Sequence, residues 1–331
     1  MLLLKISESA VEFHGVSKRF GRTLALDDVS FKVQPNELFA MLGPNGAGKT
    51  TLGNILCTIL RPDSGTVRIG GIDAIWHPLL ARRGLGVVFQ DPSLDDRLTV
   101  YENLNFHGLI YGVPASRRRN QINDMLELVE LSEWRERLVR TLSSGMKRRL
   151  EIARAFVHEA RILFLDEPTV GLDAQARDRL WGYVRQLREE REITVIVTTH
   201  YIEEVEGADR VCIIDHGRIL ANDTPAALKL VHGQELVRVV ATDEPTAADI
   251  MATYCGDAIR KDEEIVLKSG GAVFVESFLA RYGSRIRRFA IERPSLESVF
   301  LSLTGRDLRD QVAGARERTY AFGKRGGEHT R

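Results

Sequence analysis

Cysteine, net charge and long apolar runs are all scarce in this chain, and each scarcity removes a class of protein. Only three cysteines occur in 331 residues, Cys57, Cys212 and Cys255. Far apart and in apolar surroundings, they offer neither metal-ligand spacing nor a disulfide framework, and read as buried thiols in a reducing compartment. Basic and acidic residues number 46 each, for a formal net charge of +0. No polyanion-wrapping surface is expected, so nucleic acid is not a default partner. No stretch approaches the roughly 20 apolar residues that cross a bilayer. The opening Met1-Leu2-Leu3-Leu4-Lys5-Ile6 gives way to Ser7-Glu8-Ser9 too soon for a signal-peptide core. Any membrane role is expected to come through a partner.

What remains has the composition of a globular protein, 44% apolar and 28% charged, long enough for a large core and a second, smaller domain. Within it Gly43-Pro44-Asn45-Gly46-Ala47-Gly48-Lys49-Thr50 matches the phosphate-loop pattern G-x-x-x-x-G-K-[ST]. Glycines there let backbone N–H groups turn around phosphate oxygens. Lys49 brings a point charge, Thr50 brings a hydroxyl for Mg2+, and Thr51 beside it joins Gly43, Asn45, Gly46 and Gly48 as a nucleotide contact. Apolar Leu38 to Leu42 precedes the motif, and Leu52, Ile55, Leu56 and Ile59 recur at helical spacing after it. Strand, loop, helix is the context that the motif requires.

Before the loop, Val11 to Phe13, Leu26 to Val33 and Glu37 to Leu42 read as short strands of a sheet that begins antiparallel. After it come strands at Thr66 to Ile69 and Gly86 to Gln90. From Thr99 to about His158 the period turns helical, with Ile122, Met125, Leu126 and Val129 on one face and Leu150, Ala153 and Val157 on another. Arg161 to Leu165 is a buried strand, Ala174 to Glu190 a helix, Ile193 to Thr198 a β-branched strand of the parallel-sheet kind. A final hairpin turns at His216-Gly217. Thr224-Pro225 caps a helix. Beyond it, strands at 235–240, 264–268 and 287–291 and helices at 247–254, 272–282 and 294–303 form a small α/β sandwich. The domains are therefore expected at 1–223, with a helical subdomain at about 91–158, and at 224–305. A basic, flexible tail is expected over 306–331, with Lys324-Arg325 solvated.

The other half of a triphosphate site needs a carboxylate at a strand end beside the loop. Ile162-Leu163-Phe164-Leu165-Asp166-Glu167-Pro168 delivers Asp166 to the metal and Glu167 one residue farther, free to polarise the attacking water. Gln90 ends a strand at the sheet rim, within reach of Mg2+ or the lytic water. His200 follows Thr198-Thr199 in the same way and could donate to a γ-phosphate. Leu142-Ser143-Ser144-Gly145-Met146 reads as a helix start capped by Ser143 or Ser144, an anion site whose phosphate the local chemistry does not identify.

Together GPNGAGKT, Gln90, LSSGM, ILFLDEP, Gly171-Leu172-Asp173 and His200 resemble the ATP-binding subunit of an ATP-binding cassette (ABC) transporter over nearly the whole chain. The resemblance implies an α/β P-loop NTPase cassette with a helical subdomain and a small C-terminal α/β domain. It also implies a head-to-tail dimer in which Ser143 and Gly145 of one copy close on the nucleotide of another. Asp173 would couple the two sites, His200 would contact the γ-phosphate, and Phe20 would stack on adenine. Ser144 and Met146 depart from the usual glycine and glutamine, and the added Cβ at Ser144 implies slower closure. Glu292-Arg293-Pro294-Ser295-Leu296-Glu297-Ser298-Val299-Phe300-Leu301 resembles the end of the domain appended in ABC-2 exporters of the daunorubicin-resistance kind. The expected function is an ATPase peripheral to the cytoplasmic face of the membrane, driving export through a separate permease. Tyr101, Phe106, Leu109 and Tyr111 are candidates for the groove that receives it. An importer ATPase shares every catalytic motif, and a soluble ABC ATPase of repair or translation is the alternative of another class.

Overall fold

The computed structural model describes residues 9–305. The apolar opening residues and the tail from 306, Lys324-Arg325 included, lie outside the described residues. Contacts divide the chain into two units, between Asn222 and Asp223.

The first unit opens with β1 (Val11–Phe20), β2 (Thr23–Val33) and β3 (Leu38–Leu42), then α1 (Lys49–Leu56), β4 (Ser64–Ile69), β5 (Ile72–Asp73), α2 (Pro78–Arg82) and β6 (Leu85–Val88). Three helices follow, α3 (Val100–Ile110), α4 (Ala115–Leu128) and α5 (Ser144–Phe156). The chain then runs through β7 (Ile162–Asp166), α6 (Ala174–Arg191), β8 (Thr194–Thr199), β9 (Arg210–Asp215) and β10 (Arg218–Asp223). Two sheets result. One is antiparallel in the order β2-β1-β4-β5, and the other runs β10-β9-β3-β8-β7-β6. In the second, β9, β3, β8, β7 and β6 pair in parallel. Every residue of β3, β7 and β8 is buried, which is why these strands read as unbroken apolar or β-branched runs. Phe13, Phe31 and Phe39 stack in series, with centroids 4.7 and 5.3 Å apart, and fasten the antiparallel sheet to β3. The β9–β10 hairpin turns on His216 and Gly217, both at positive φ, as a two-residue turn requires.

The helical stretch folds around the residues that its period selects. Ile122, Met125, Leu126, Val129, Leu150, Ala153 and Val157 are all buried. Thr99 caps α3 with a full capping box to Glu102. Two histidines sit where this helical layer meets β6: His107 Nε2 lies 3.2 Å from His158 Nδ1, and His158 Nε2 lies 3.2 Å from the Leu85 carbonyl.

The second unit contains α7 (Pro225–His232), β11 (Leu236–Ala241), α8 (Glu244–Thr253), β12 (Ala258–Lys261), β13 (Glu264–Lys268), α9 (Ala272–Tyr282), β14 (Ile286–Glu292) and α10 (Leu296–Thr304). Its antiparallel sheet runs β12-β13-β11-β14. Alternation along β11 sends Val237 and Val239 to Ile250, Phe278 and Tyr282 of the helices, and Leu236 to Leu301 of α10. Strand β12 was not anticipated, because four residues of mixed polarity carry no alternation. The expectation of three buried thiols needs correction. Cys57 and Cys212 are buried but Cys255 is exposed, since it follows the end of α8 rather than lying on its inward face.

Candidate functional site

The ends of β3, β7 and β8 deliver three loops to one edge of the parallel sheet, where such folds bind ligands. The phosphate loop occupies residues 43–48. Gly46 and Gly48 adopt φ of 81° and 108°, in the left-handed region that favours glycine. A Cβ at Gly48 would lie 2.8 Å from the Ala25 carbonyl, and one at Gly43 2.4 Å from the Ile214 carbonyl, so the loop is fixed by backbone on both sides. At Gly46 a Cβ would meet nothing within 4 Å. The cradle is thus anchored at its ends and open at its centre, the geometry of backbone N–H groups presented to an anion. Asn45, Gly46 and Thr50 are exposed at its rim, with Thr51 half-buried behind them.

Lys49 begins α1 and is 4% exposed; its Nζ donates to the carbonyls of Gly43 (2.7 Å) and Pro44 (3.1 Å) and stands 3.4 Å from Glu167 Oε1. Burial pushes its pKa down, against the opposing pull of Glu167 and Asp166. Asp166 closes β7 and accepts from Thr198 Oγ1 at 2.5 Å; burial raises its carboxyl above the ordinary range despite that bond. For Glu167 burial raises the pKa too, but His200 and Lys49 together outweigh it, and the net shift is downward. Its backbone takes φ 46°, held by N–H donation to the Thr198 carbonyl and hydroxyl. His200 Nδ1 is 3.3 Å from Glu167 Oε2 and buried, without a well-directed hydrogen bond.

Lys49, Asp166, Glu167 and His200 therefore converge. Ser143, Gly145 and Asp173 form a separate group. Ser143, not Ser144, caps α5, its hydroxyl accepting from Met146 N at 3.3 Å. A cleft of about 220 Å³ is lined by Ser143, Ser144, Gly145, Gly171, Asp173 and Arg179. Asp173 caps α6, accepting from Ala176 N at 2.8 Å. Phe20 ends β1 half-exposed, with Lys18 Nζ 5.8 Å from its ring centre. Gln90 is exposed two residues beyond β6.

Two sets of residues that sequence reasoning passed over support this site. From α5, Arg148 donates to the carbonyls of Phe89 and Gln90, the latter at 2.8 Å, and to Glu151 at 3.1 Å; Glu151, wholly buried, accepts from Ser93 N at 2.9 Å. Thr169, Thr199 and Glu204 form the second set. The signal for both was a charged or hydroxyl side chain at an inward helical or strand-end position. Such a residue requires a buried partner.

A phosphate loop after a buried strand, a carboxylate pair at the end of a neighbouring one and a histidine at the end of the next define a P-loop nucleotide triphosphatase. The profile of the ABC transporter family matches residues 26–170. The daunorubicin/doxorubicin resistance ATP-binding protein of Streptomyces peucetius is 36% identical over 314 residues, covering 91% of this chain and 94% of that protein. The Nod factor export ATP-binding protein I of Burkholderia lata is 39% identical over 308 residues, covering 91% and 98%. Among solved structures, cbiO1 of Clostridium perfringens, part of an ABC transporter complex, superposes with a TM-score of 0.63 at 27% identity, over 68% of this chain and 92% of that one. A bacterial ABC transporter cassette solved as a dimer gives 0.59 at 27% identity, over 65% and 98%. This chain belongs to the ATP-binding proteins of ABC transporters, and its first unit is an ATPase cassette.

Proposed function

We propose that the chain is the ATP-hydrolysing subunit of an exporter, acting as a pair of copies peripheral to the cytoplasmic face of a membrane and bound to a separate permease. The observation that carries this reading is the separation of the two site halves. Lys49, Asp166, Glu167 and His200 share one strand-end edge, whereas the capped start of α5 and Asp173 line a cleft of their own. An ATP on the first half is completed by the Ser143–Gly145 turn of a second copy. The export direction is supported by the curated relatives, which align over 91% of this chain under resistance and export names. Among the described residues no helix is long and apolar enough to cross a membrane, so the path for cargo is assigned to the permease. Its docking face is assigned to α3, where Phe106, Leu109 and Ile110 are exposed. Tyr101 and Tyr111 take other partners, the Arg135 guanidinium and the His158 ring.

In this reading the open phosphate loop and Lys49 hold the phosphates, and Phe20 stacks on adenine. Thr50, Gln90 and Asp166 would hold Mg2+, which would supply charge neutralisation to the bound phosphates. The fit rests on an exposed threonine at the loop rim, Thr50, and a strand-end carboxylate oriented by Thr198. Glu167, ionised and between Lys49 and His200, orients the attacking water and accepts its proton. His200, beside Glu167 at the strand-end edge, is assigned to the γ-phosphate side. Glu167→Gln is expected to retain ATP binding and lose about 10²-fold or more in turnover. Wild-type turnover in that variant, measured beside nucleotide binding, would refute the assignment.

A further inference from the structure

Between the end of β7 and the start of α6 lies the loop Gly171 to Asp173, and on both sides of it the chain is fastened to the segment that carries His200. Before the loop, Thr169 Oγ1 donates to Glu204 Oε1. After it, the Arg177 guanidinium, one turn into α6, lies over the Tyr201 ring at 4.9 Å. Glu204 also accepts from Thr199 Oγ1 at 2.6 Å, and that hydroxyl oxygen accepts from Tyr201 N at 2.9 Å. Thr169 and Thr199 are 1% exposed and Glu204 is 7% exposed. One carboxylate thus gathers two buried hydroxyls, one from the end of β8 and one from the segment after β7. Burial keeps water from replacing either bond, so both constrain the local geometry.

The consequences of these two bonds differ. Thr199 precedes His200 directly, so its bond fixes the backbone from which the imidazole projects toward Glu167. Thr169 lies two residues after Glu167, and its carbonyl accepts from Leu172 N at 3.1 Å, so it fixes where the Gly171–Asp173 loop departs. The three-residue turn Ile202–Glu204 is what points Glu204 back between them. A displacement of Asp173 would therefore reach the His200 loop through the Glu204 carboxylate, beside the Arg177–Tyr201 contact and the pairing of β7 with β8.

We infer that Glu204 is a positioning residue for hydrolysis: it clasps the Gly171–Asp173 loop to the His200 loop, so that the approach of a second copy at Asp173 sets the His200 imidazole against Glu167. The inference rests on the assignment of Glu167, His200 and Asp173 given above. Glu204 touches no reacting atom, and its effect is expected in kcat rather than in ATP affinity.

The test is steady-state ATPase kinetics on the purified full chain. Glu204→Ala is expected to lower kcat about tenfold with KM for ATP within about twofold. Glu204→Gln should recover to within about threefold of wild type, because the amide accepts from one hydroxyl and donates to the other. Thr169→Val, which keeps the side-chain shape, should lower kcat by about threefold and cause no further loss in the Glu204→Ala background. Thr169→Val alone serves even where Glu204→Ala folds poorly, since a wild-type kcat in it would overturn the clasp. Additive losses in the double variant, a glutamine variant as slow as the alanine one, or an unchanged kcat in Glu204→Ala would each overturn the clasp. Glu167→Gln run in parallel separates the two claims. A normal rate in Glu167→Gln refutes the site assignment, whereas a normal rate in Glu204→Ala beside an inactive Glu167→Gln refutes the clasp alone.

Discussion

The Arg148–Glu151 pair should behave as an interaction that is expensive to break and nearly worthless to keep. Burial pushes the Glu151 carboxyl above its ordinary range and the Arg148 guanidinium below its own, although each opposes the shift of the other. Desolvation therefore exceeds their mutual attraction, as is common for buried ion pairs. Glu151→Ala leaves Arg148, 5% exposed, with the carbonyls of Phe89 and Gln90 but without its ion-pair partner, takes the same partner from Arg154, and strips Ser93 N of its acceptor. That should destabilise the first unit by about 3–5 kcal/mol, the range for breaking a buried pair. Glu151→Gln restores an acceptor for Ser93 N and should lose about 1.5–3 kcal/mol, the scale of a hydrogen bond to a charged group. Removing both charges, Arg148→Met with Glu151→Leu, should cost less than Glu151→Ala alone. The assay is urea unfolding followed by tryptophan fluorescence, because Trp76, Trp134 and Trp181 all precede Asn222 and report the first unit only. A double variant as unstable as Glu151→Ala, or Glu151→Ala within about 1 kcal/mol of wild type, would refute the desolvation argument.

Acid should destabilise the same unit through His107 and His158, whose pKa values burial lowers to about 3 and about 4. Lowered imidazole values mean that the unfolded chain binds protons first, so stability is complete above about pH 6.5 and falls below it. Between pH 7.5 and 5 the pair accounts for on the order of 4 kcal/mol, and His158→Gln should remove about half of that drop in urea titrations at the two pH values. Gly53→Ala places a Cβ 2.5 Å from Phe164 Cζ within the core. Overpacking of about 1–3 kcal/mol should outweigh the ~1 kcal/mol gained in helix propensity, lowering Tm, and Phe164→Leu should relieve it. A higher Tm in Gly53→Ala would refute the close packing of α1 on β7.

The catalytic edge was legible because its residues sit in short, contiguous patterns whose chemistry is local. GPNGAGKT needs its glycines for backbone reasons visible in sequence, and ILFLDE announces a buried strand that ends in carboxylates. The periodic helices α4 and α5 were legible for the same reason. Glu204 was not, because Thr169 and Thr199 lie 35 and 5 residues away and nothing in Ile202-Glu203-Glu204-Val205 distinguishes the inward glutamate from its exposed neighbour. Arg148 and Glu151 are not legible in sequence either, because their role depends on α5 turning that face onto the Phe89–Ser93 segment. Strand β12 failed for want of length. Asp173 entered through resemblance, and its cap of α6 gives it a local physical role besides.

The uneven burial of the cysteines makes this protein its own spectroscopic ruler. Cys57 and Cys212 are buried, with their thiols pushed upward by desolvation, Cys212 to about 12, so neither offers a thiolate to an alkylating dye near neutral pH. Cys255 is exposed and belongs to the second unit, which contains no tryptophan. A maleimide acceptor therefore attaches at one position without mutagenesis, opposite three native donors confined to the first unit. Energy transfer between them will follow any rearrangement of the two units during an ATP cycle.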